Sequence, residues 1–192
     1  MMSATQQMGV FQQPAKAPMP QHSPRPPFPF CPWCRGDLST ADPHRQVCSS
    51  CGFILYHNSS PCMGAIPIDD QGRVLLARRG IEPFYGDWNT IGGFLGYQEE
   101  PLDGLRREVL EETGVDCSIL ECITMTAEQY GEGGAGLMCC YFTVRLLSGD
   151  FKPLDDVSEL AWFGLDSLPE NIPFASDRRA LAVLRERHAG KK

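Results

Sequence analysis

The chain has no run approaching the roughly 18 consecutive apolar residues that a membrane-spanning helix needs, so no membrane partner is expected. Its N-terminus, MMSATQQMGVFQQPAKAPMP, lacks the basic start, apolar stretch and small-residue cleavage site of a secretory leader, and the expected setting is therefore cytoplasmic. Positive charge is scarce. Lys and Arg number 17 against 24 Asp and Glu, a formal net charge of -7, which argues against a protein that mainly grips a nucleic-acid backbone. A small anionic substrate is still compatible with that balance, because a bound divalent cation reverses the local sign. Internal repeats are absent, and 192 residues suffice for one ordinary domain plus a small module.

Cysteine is not scarce, and its placement says more than its number. Four of the nine form two Cys-x-x-Cys pairs, Cys31 with Cys34 and Cys48 with Cys51, separated by 13 residues. Two such knuckles, each placing two thiolates about a tight turn, complete a tetrahedral Zn²⁺ site. All four ligands are then cysteines with no open position, so the zinc is expected to be structural. A redox pair needs a βαβ setting that is missing here, and disulfides conflict with a reducing compartment. Cys62, Cys117, Cys122, Cys139 and Cys140 lie in apolar, strand-like segments and read as buried small hydrophobes.

Three stretches follow from composition. Residues 1–28 are rich in Pro and Gln without a hydrophobic period and cannot offset the entropy of ordering, so a disordered tail is expected there. Residues 29–58 hold the cysteine pairs and the strand-like Phe53-Ile54-Leu55-Tyr56. Over 59–190 the pattern is that of one larger domain. Met63 to Ile68 and Val74 to Ala77 predict a hairpin about the turn Asp69 to Gly72. Residues 80–96 carry five glycines and predict a loop passing into short strands. Pro101 opens a helix that Gly114 closes, with Leu102, Leu105 and Val109 as its docking stripe. Further strands are expected over Ile119 to Met125, Leu137 to Leu146 and Leu160 to Phe163. Ser176 is the expected N-cap of a last helix, Asp177 to His188. Strands with few helices, not in strict βαβ alternation, predict a mixed-sheet α/β sandwich.

On the first of these helices Glu108, Glu111 and Glu112 stand at i, i+3 and i+4 and project from one face. Clustered carboxylates repel, by roughly 0.2–0.5 kcal/mol per pair on an isolated helix. A hard divalent cation resolves the conflict, since Mg²⁺ favours a few carboxylates plus waters and phosphate oxygens. Arg107, four residues before Glu111, is placed to balance the cluster. The glycines ahead of the helix let the backbone come close to metal and phosphate.

The full spacing is more specific than the glutamates alone. Gly93, five residues, Glu99, seven residues, Arg107-Glu108-Val109, one residue, Glu111-Glu112, one residue, Gly114-Val115 resembles the Nudix box at every defining position. The resemblance implies an αβα sandwich whose box helix binds Mg²⁺ or Mn²⁺, and hydrolysis of a nucleoside diphosphate linked to another group. It implies Glu108, Glu111 and Glu112 as metal ligands together with the backbone at Gly92, Arg107 as the residue orienting the carboxylates, and Glu99 as support for the loop or for a second metal through water. The general base is not fixed by the box. Glu112 is the first candidate, and Asp155, Asp156 and Glu159 are the second. The cysteine module looks like a zinc ribbon, which some Nudix hydrolases, the NADH-diphosphatase group among them, carry ahead of the catalytic domain.

The substrate is less legible. NADH diphosphatases resemble this chain in ribbon and box but carry a Ser-Gln-Pro-Trp type motif after the box, where this chain reads Thr124-Met125-Thr126-Ala127-Glu128-Gln129-Tyr130. Tyr130 stands where dinucleoside polyphosphate hydrolases tend to carry a tyrosine. Phe84, Tyr85, Trp88 and Tyr130 offer flat surfaces for a base or ribose, and Arg78 or Arg79 is placed to reach a phosphate. The expected partner is a small nucleotide of ADP-ribose, FAD, NADH or dinucleoside polyphosphate type. A homodimer is compatible with the sequence. Two other readings stay open: a non-catalytic nucleotide-sensing regulator, and an RNA-end processing or binding protein that uses the ribbon. Three arginines (Arg25, Arg35, Arg45) against Asp37 and Asp42 make no strong basic patch for the latter.

Overall fold

A computed structural model describes residues 28–190 apart from Thr40, Ala41, Pro43 and Gly133; all but Phe28 of the expected tail lies outside the described residues. A two-stranded antiparallel sheet, β1 (Arg45–Val47) and β2 (Ile54–Tyr56), comes first. β3 (Ser60–Pro67), β4 (Val74–Arg79), β5 (Trp88–Asn89) and β6 (Ile91–Phe94) follow, then helix α1 (Pro101–Thr113). The chain continues through β7 (Cys117–Gln129), β8 (Gly136–Leu146) and β9 (Val157–Phe163) to helix α2 (Ala175–Ala189). A mixed four-stranded sheet has the order β6-β3-β8-β7 with β3 and β8 parallel, and an antiparallel three-stranded sheet has the order β5-β4-β9.

The period of two along β3 and β4 sorts the core into two layers. Met63, Ala65, Leu75 and Ala77 pack with Leu105 and Val109 of α1. Ile66, Val74 and Leu76 pack with Ala180, Leu181 and Leu184 of α2. One helix on each side of the strands makes the αβα sandwich. Each fully buried aliphatic side chain contributes roughly 1.5–3 kcal/mol, so the two layers dominate the stability.

Three local expectations are corrected. The turn after β3 forms, with the Gly72 N–H on the Asp69 carbonyl and the Asp69 carboxylate accepting from Gln71 and Arg73 N–H, but the strands it joins do not pair as a hairpin. Beyond a single bridge between Ile68 and Val74, β4 turns away into the other sheet, because both edges of β3 are already taken by β6 and β8. Leu102 is 47% exposed and contributes nothing to the α1 stripe; Leu105 and Val109 carry it. Ser176 is not the N-cap of α2, which is Phe174. The Ser176 N–H donates instead to the Glu128 carboxylate of β7 at 2.9 Å, which leaves the serine hydroxyl free to meet the buried Tyr141 hydroxyl at 2.8 Å. α1 does end as its glycine predicts: Gly114 takes φ 73° and its N–H closes on the Leu110 carbonyl at 2.8 Å.

Candidate active site

The two cysteine knuckles share one backbone plan. Arg35 N–H closes on the Cys31 carbonyl and Gly52 N–H on that of Cys48, with Arg35 at φ 62° and Gly52 at φ 74°. The four Sγ atoms lie within 4.8 Å of one another, with Cys31 to Cys51 at 3.8 Å and Cys34 to Cys48 at 3.5 Å. Zinc at about 2.3 Å from each sulfur requires edges of roughly 3.8 Å, so the set fits such an ion. Backbone N–H groups of Trp33 and Gly36 already point at Cys31 and Cys34 sulfur, each at 3.4 Å. The Cys51 N–H draws the Cys48 thiol down to about 6. Cys51, although it accepts from Phe53 N–H, is pushed up to about 12 by the surrounding thiols of Cys34, Cys48 and Cys31 and by burial. Four thiols this close do not all ionise without a cation.

The box builds a different kind of cluster. Arg107 is its hub: Nε and Nη2 donate to the Glu99 carboxylate at 2.7 and 3.0 Å, and Nη1 to Glu108 at 2.8 Å and Glu111 at 2.7 Å. Nη2 also reaches the Phe94 carbonyl at 3.0 Å, tying helix to loop. Glu99 is thereby held at about 2, with the Gly96 N–H adding to the effect of the arginine. Glu99 thus sits against Arg107 and the loop backbone. Glu112 stands apart from this hub. It is buried, accepts from the Gly92 N–H, and its Oε2 has no hydrogen-bond partner. Burial raises its carboxyl well above the ordinary range, and the charge of Glu108 raises it further. Burial also raises Glu108, against the pull of Arg107.

Two glycines make this approach of loop and helix feasible. A Cβ on Gly93 would stand 2.7 Å from the Glu108 carboxylate. Gly92, at φ 141°, leaves no space for one against the Met63 carbonyl. The orphaned oxygen of Glu112, in a cleft that Glu108 and Glu111 also line, has the chemistry of a divalent-cation ligand: a buried carboxylate oxygen without a partner is costly unless a metal or proton meets it.

Glu108, Glu111 and Glu112 line a cleft of about 300 Å³. Asp155, Asp156 and the backbone of Gly92 and Gly93 border it too. Glu159 does not; it pairs with Arg78 on the adjacent strand at 3.1 Å, both side chains exposed. Arg79 lines the cleft in place of Arg78. Among the aromatics, Tyr130 borders the cleft, parallel to Phe174 at 6.1 Å and edge-on to Phe94 at 5.5 Å. Phe84 lies behind it, edge-on to Phe174 at 5.2 Å, Trp88 packs edge-on to Phe163 at 5.0 Å, and Tyr85 is exposed.

The model of the NUDIX domain family matches residues 59–183. This chain belongs to that family. Among similar proteins, a Vibrio cholerae protein named NAD-capped RNA hydrolase NudC is 30% identical over 156 residues, covering 79% of this chain and 55% of its own. An ADP-ribose pyrophosphatase of Methanocaldococcus jannaschii is 26% identical, covering 62% of this chain and 69% of its own. The crystal structure of a NUDIX hydrolase from Nitrosomonas europaea superposes with a TM-score of 0.70 at 29% identity, covering 85% of this chain and 94% of that one. The chain spans about half the length of the Vibrio relative it matches. That match is longer than the Nudix span and begins upstream of residue 59, since few residues remain after 183.

Part of the Nudix cleft wall carries no motif in the sequence. Tyr141 of β8 lies over Gly64 of β3, where a Cβ would meet its ring at 2.5 Å. Its hydroxyl donates to the Asp177 carboxylate at 2.6 Å, which also accepts from the N–H and hydroxyl of Thr90 at 3.0 Å each. Cys62 and Cys139, directly paired on the parallel strands β3 and β8, both border the cleft. Among the described residues no helix is long and apolar enough to cross a membrane.

Proposed function

We propose that the chain is a metal-dependent hydrolase that cleaves the diphosphate linkage of a nucleoside diphosphate derivative, of ADP-ribose, FAD, NADH or dinucleoside polyphosphate type, to a nucleoside monophosphate and a phosphorylated product. The partnerless Oε2 of buried Glu112, beside Glu108 and Glu111 in the cleft, is the observation that carries this reading. Glu108, Glu111, Glu112 and the Gly92 backbone would hold Mg²⁺ or Mn²⁺. Such an ion supplies Lewis acidity at the diphosphate oxygens and lowers the pKa of a bound water.

The remaining work belongs to side chains. Glu112, raised by burial, is the group to take a proton from the attacking water, and Asp155 or Asp156 at the cleft border is the alternative. Arg107 keeps Glu108 and Glu111 from drifting apart while Glu99 fixes Arg107 in turn. Cys31, Cys34, Cys48 and Cys51 hold a structural Zn²⁺ in a module over residues 29–58, the Nudix domain occupies 59–190, and the protein works in the cytoplasm. A second reading, an RNA 5′ end as substrate, draws its support from the activity in the Vibrio relative's name; the net charge of -7 weighs against it.

Incubating the zinc-loaded protein with Mg²⁺ and ADP-ribose, NADH, FAD, diadenosine tetraphosphate or NAD-capped RNA tests the proposal. Turnover of at least one, with a nucleoside monophosphate as product, is expected for the small-molecule reading. Preference for the capped RNA selects the second reading, and hydrolysis of none overturns both.

A further inference from the structure

The cleft is lined by seven carboxylate side chains, Asp177 and Glu128 included, and among the described residues by a single cationic one, Arg79. Elsewhere Arg73, Arg78, Arg106, Arg107 and Arg145 each lie at least about a third exposed and sit on a carboxylate. Arg79 reverses both properties. It is 8% exposed, and no ion pair to it occurs among the described residues. Its Nε donates to the Pro83 carbonyl at 2.6 Å, Nη2 lies 3.5 Å from the Tyr130 hydroxyl, and the guanidinium rests over the Phe174 ring at 5.3 Å. A guanidinium has five N–H donors, and these neutral partners leave several unused. A buried cation without a counter-charge is costly, so a side chain kept in that state beside a cleft awaits an anion.

The backbone explains why this arginine and not its neighbour is turned inward. Arg78 pairs with Glu159 of β9 and Arg79 with Val157, so Ser158 is the extra residue of a bulge, its hydroxyl donating to the Arg78 carbonyl at 3.1 Å. Bulges re-aim side chains at sheet rims. Pro83 then fixes the Nε edge and Tyr130 takes one Nη2 proton, leaving Nη1 and the other Nη2 N–H for a ligand.

The geometry points to Arg79 as the residue that binds a phosphate of the substrate, with Tyr130 and Phe174 as the aromatic wall beside it. It is a specificity-determining contact that selects phosphorylated over unphosphorylated nucleosides. The inference deepens the diphosphate reading of the cleft and rests on it for the identity of the anion.

Calorimetric titration of the zinc-loaded full chain, without added Mg²⁺, with AMP and with adenosine tests it. Wild type is expected to favour AMP. Arg79→Met, which keeps the stem over Phe174, is expected to lose roughly tenfold to a hundredfold in AMP affinity with adenosine unchanged. Arg79→Lys should fall between the two, since a point charge replaces the fork, and Arg78→Ala should bind as wild type. Equal AMP binding by wild type and Arg79→Met, or no preference for AMP in wild type, overturns the inference. A chain that hydrolyses no diphosphate yet loses AMP affinity with Arg79→Met supports the inference and sinks only the hydrolase reading. Hydrolysis with KM unmoved by Arg79→Met does the reverse.

Discussion

The cysteine cluster and the carboxylate cluster solve the same problem, like charges brought together, in opposite ways. The four thiols come from two turns with one backbone plan, all four sulfurs lie within 4.8 Å, and nothing is left to receive another ligand. The carboxylates are arranged asymmetrically: Arg107 bridges Glu99, Glu108 and Glu111 on one side, while Glu112 stays buried with one oxygen unmet. The first arrangement is closed and suits structure. The second is open toward a cleft and suits chemistry. The contrast is one of a closed ring of four sulfurs against a carboxylate oxygen left without a partner at a cleft.

The largest effect is expected where the closed cluster is broken. The core beneath it is Cys31, Leu38 and Cys48 with Phe53 and Leu55 packed on, too small to hold β1 and β2 unaided. Binding of structural zinc is worth about 10–16 kcal/mol in comparable small modules. Cys31→Ser should therefore lose the zinc and expose residues 45–56 to hydrogen exchange at unfolded rates. Unchanged protection there would mean that the module folds without its metal.

A smaller effect sharpens the open side. Glu112 and Glu108, and Asp177 beneath the cleft, are all raised by burial. A raised carboxyl binds its proton more tightly in the folded chain, so its contribution favours folding at low pH. That contribution fades as pH climbs above the unfolded value near 4.5 for Glu or 3.8 for Asp. Without added Mg²⁺ the melting temperature should fall as pH rises above about 4.5, and Mg²⁺ should restore most of the loss. Glu99, held at about 2, acts oppositely; its share is present above about 4.5 and is lost as pH drops toward 2. A melting temperature that rises with pH and ignores Mg²⁺ would break the contrast between the clusters.

What could be read from the sequence follows the same division. The cysteine pairs and the box residues are close in the chain, so spacing alone placed Cys31 with Cys34 and Glu108 with Glu111 and Glu112. The mixed-sheet α/β class was legible from strands with few helices out of strict βαβ alternation, the αβα layering only through the resemblance of the box, and the end of α1 from Gly114. Residues set by distant contacts were not. Arg78 and Arg79 are indistinguishable in sequence, and only the bulge at Ser158, 79 residues away from Arg79, turns one of them inward. Ser176 has the chemistry of an N-cap, but Glu128 from β7 reaches the helix start and the hydroxyl goes to Tyr141. The hairpin after Met63 failed because sheet edges already occupied by β6 and β8 override a sound local turn. Phe174 and Asp177 enter the cleft through the start of α2, far from any motif.

The buried, half-satisfied Glu112 is proposed as the heart of a divalent-metal site. Mn²⁺ binding to the zinc-loaded chain, followed by the loss of the free-ion paramagnetic signal, tests it most directly when wild type is set beside Glu112→Gln. Wild type is expected to bind Mn²⁺ in competition with Mg²⁺, and Glu112→Gln to bind it at least about tenfold more weakly while melting no earlier. Equal Mn²⁺ binding by the two proteins, or none by wild type, would contradict it.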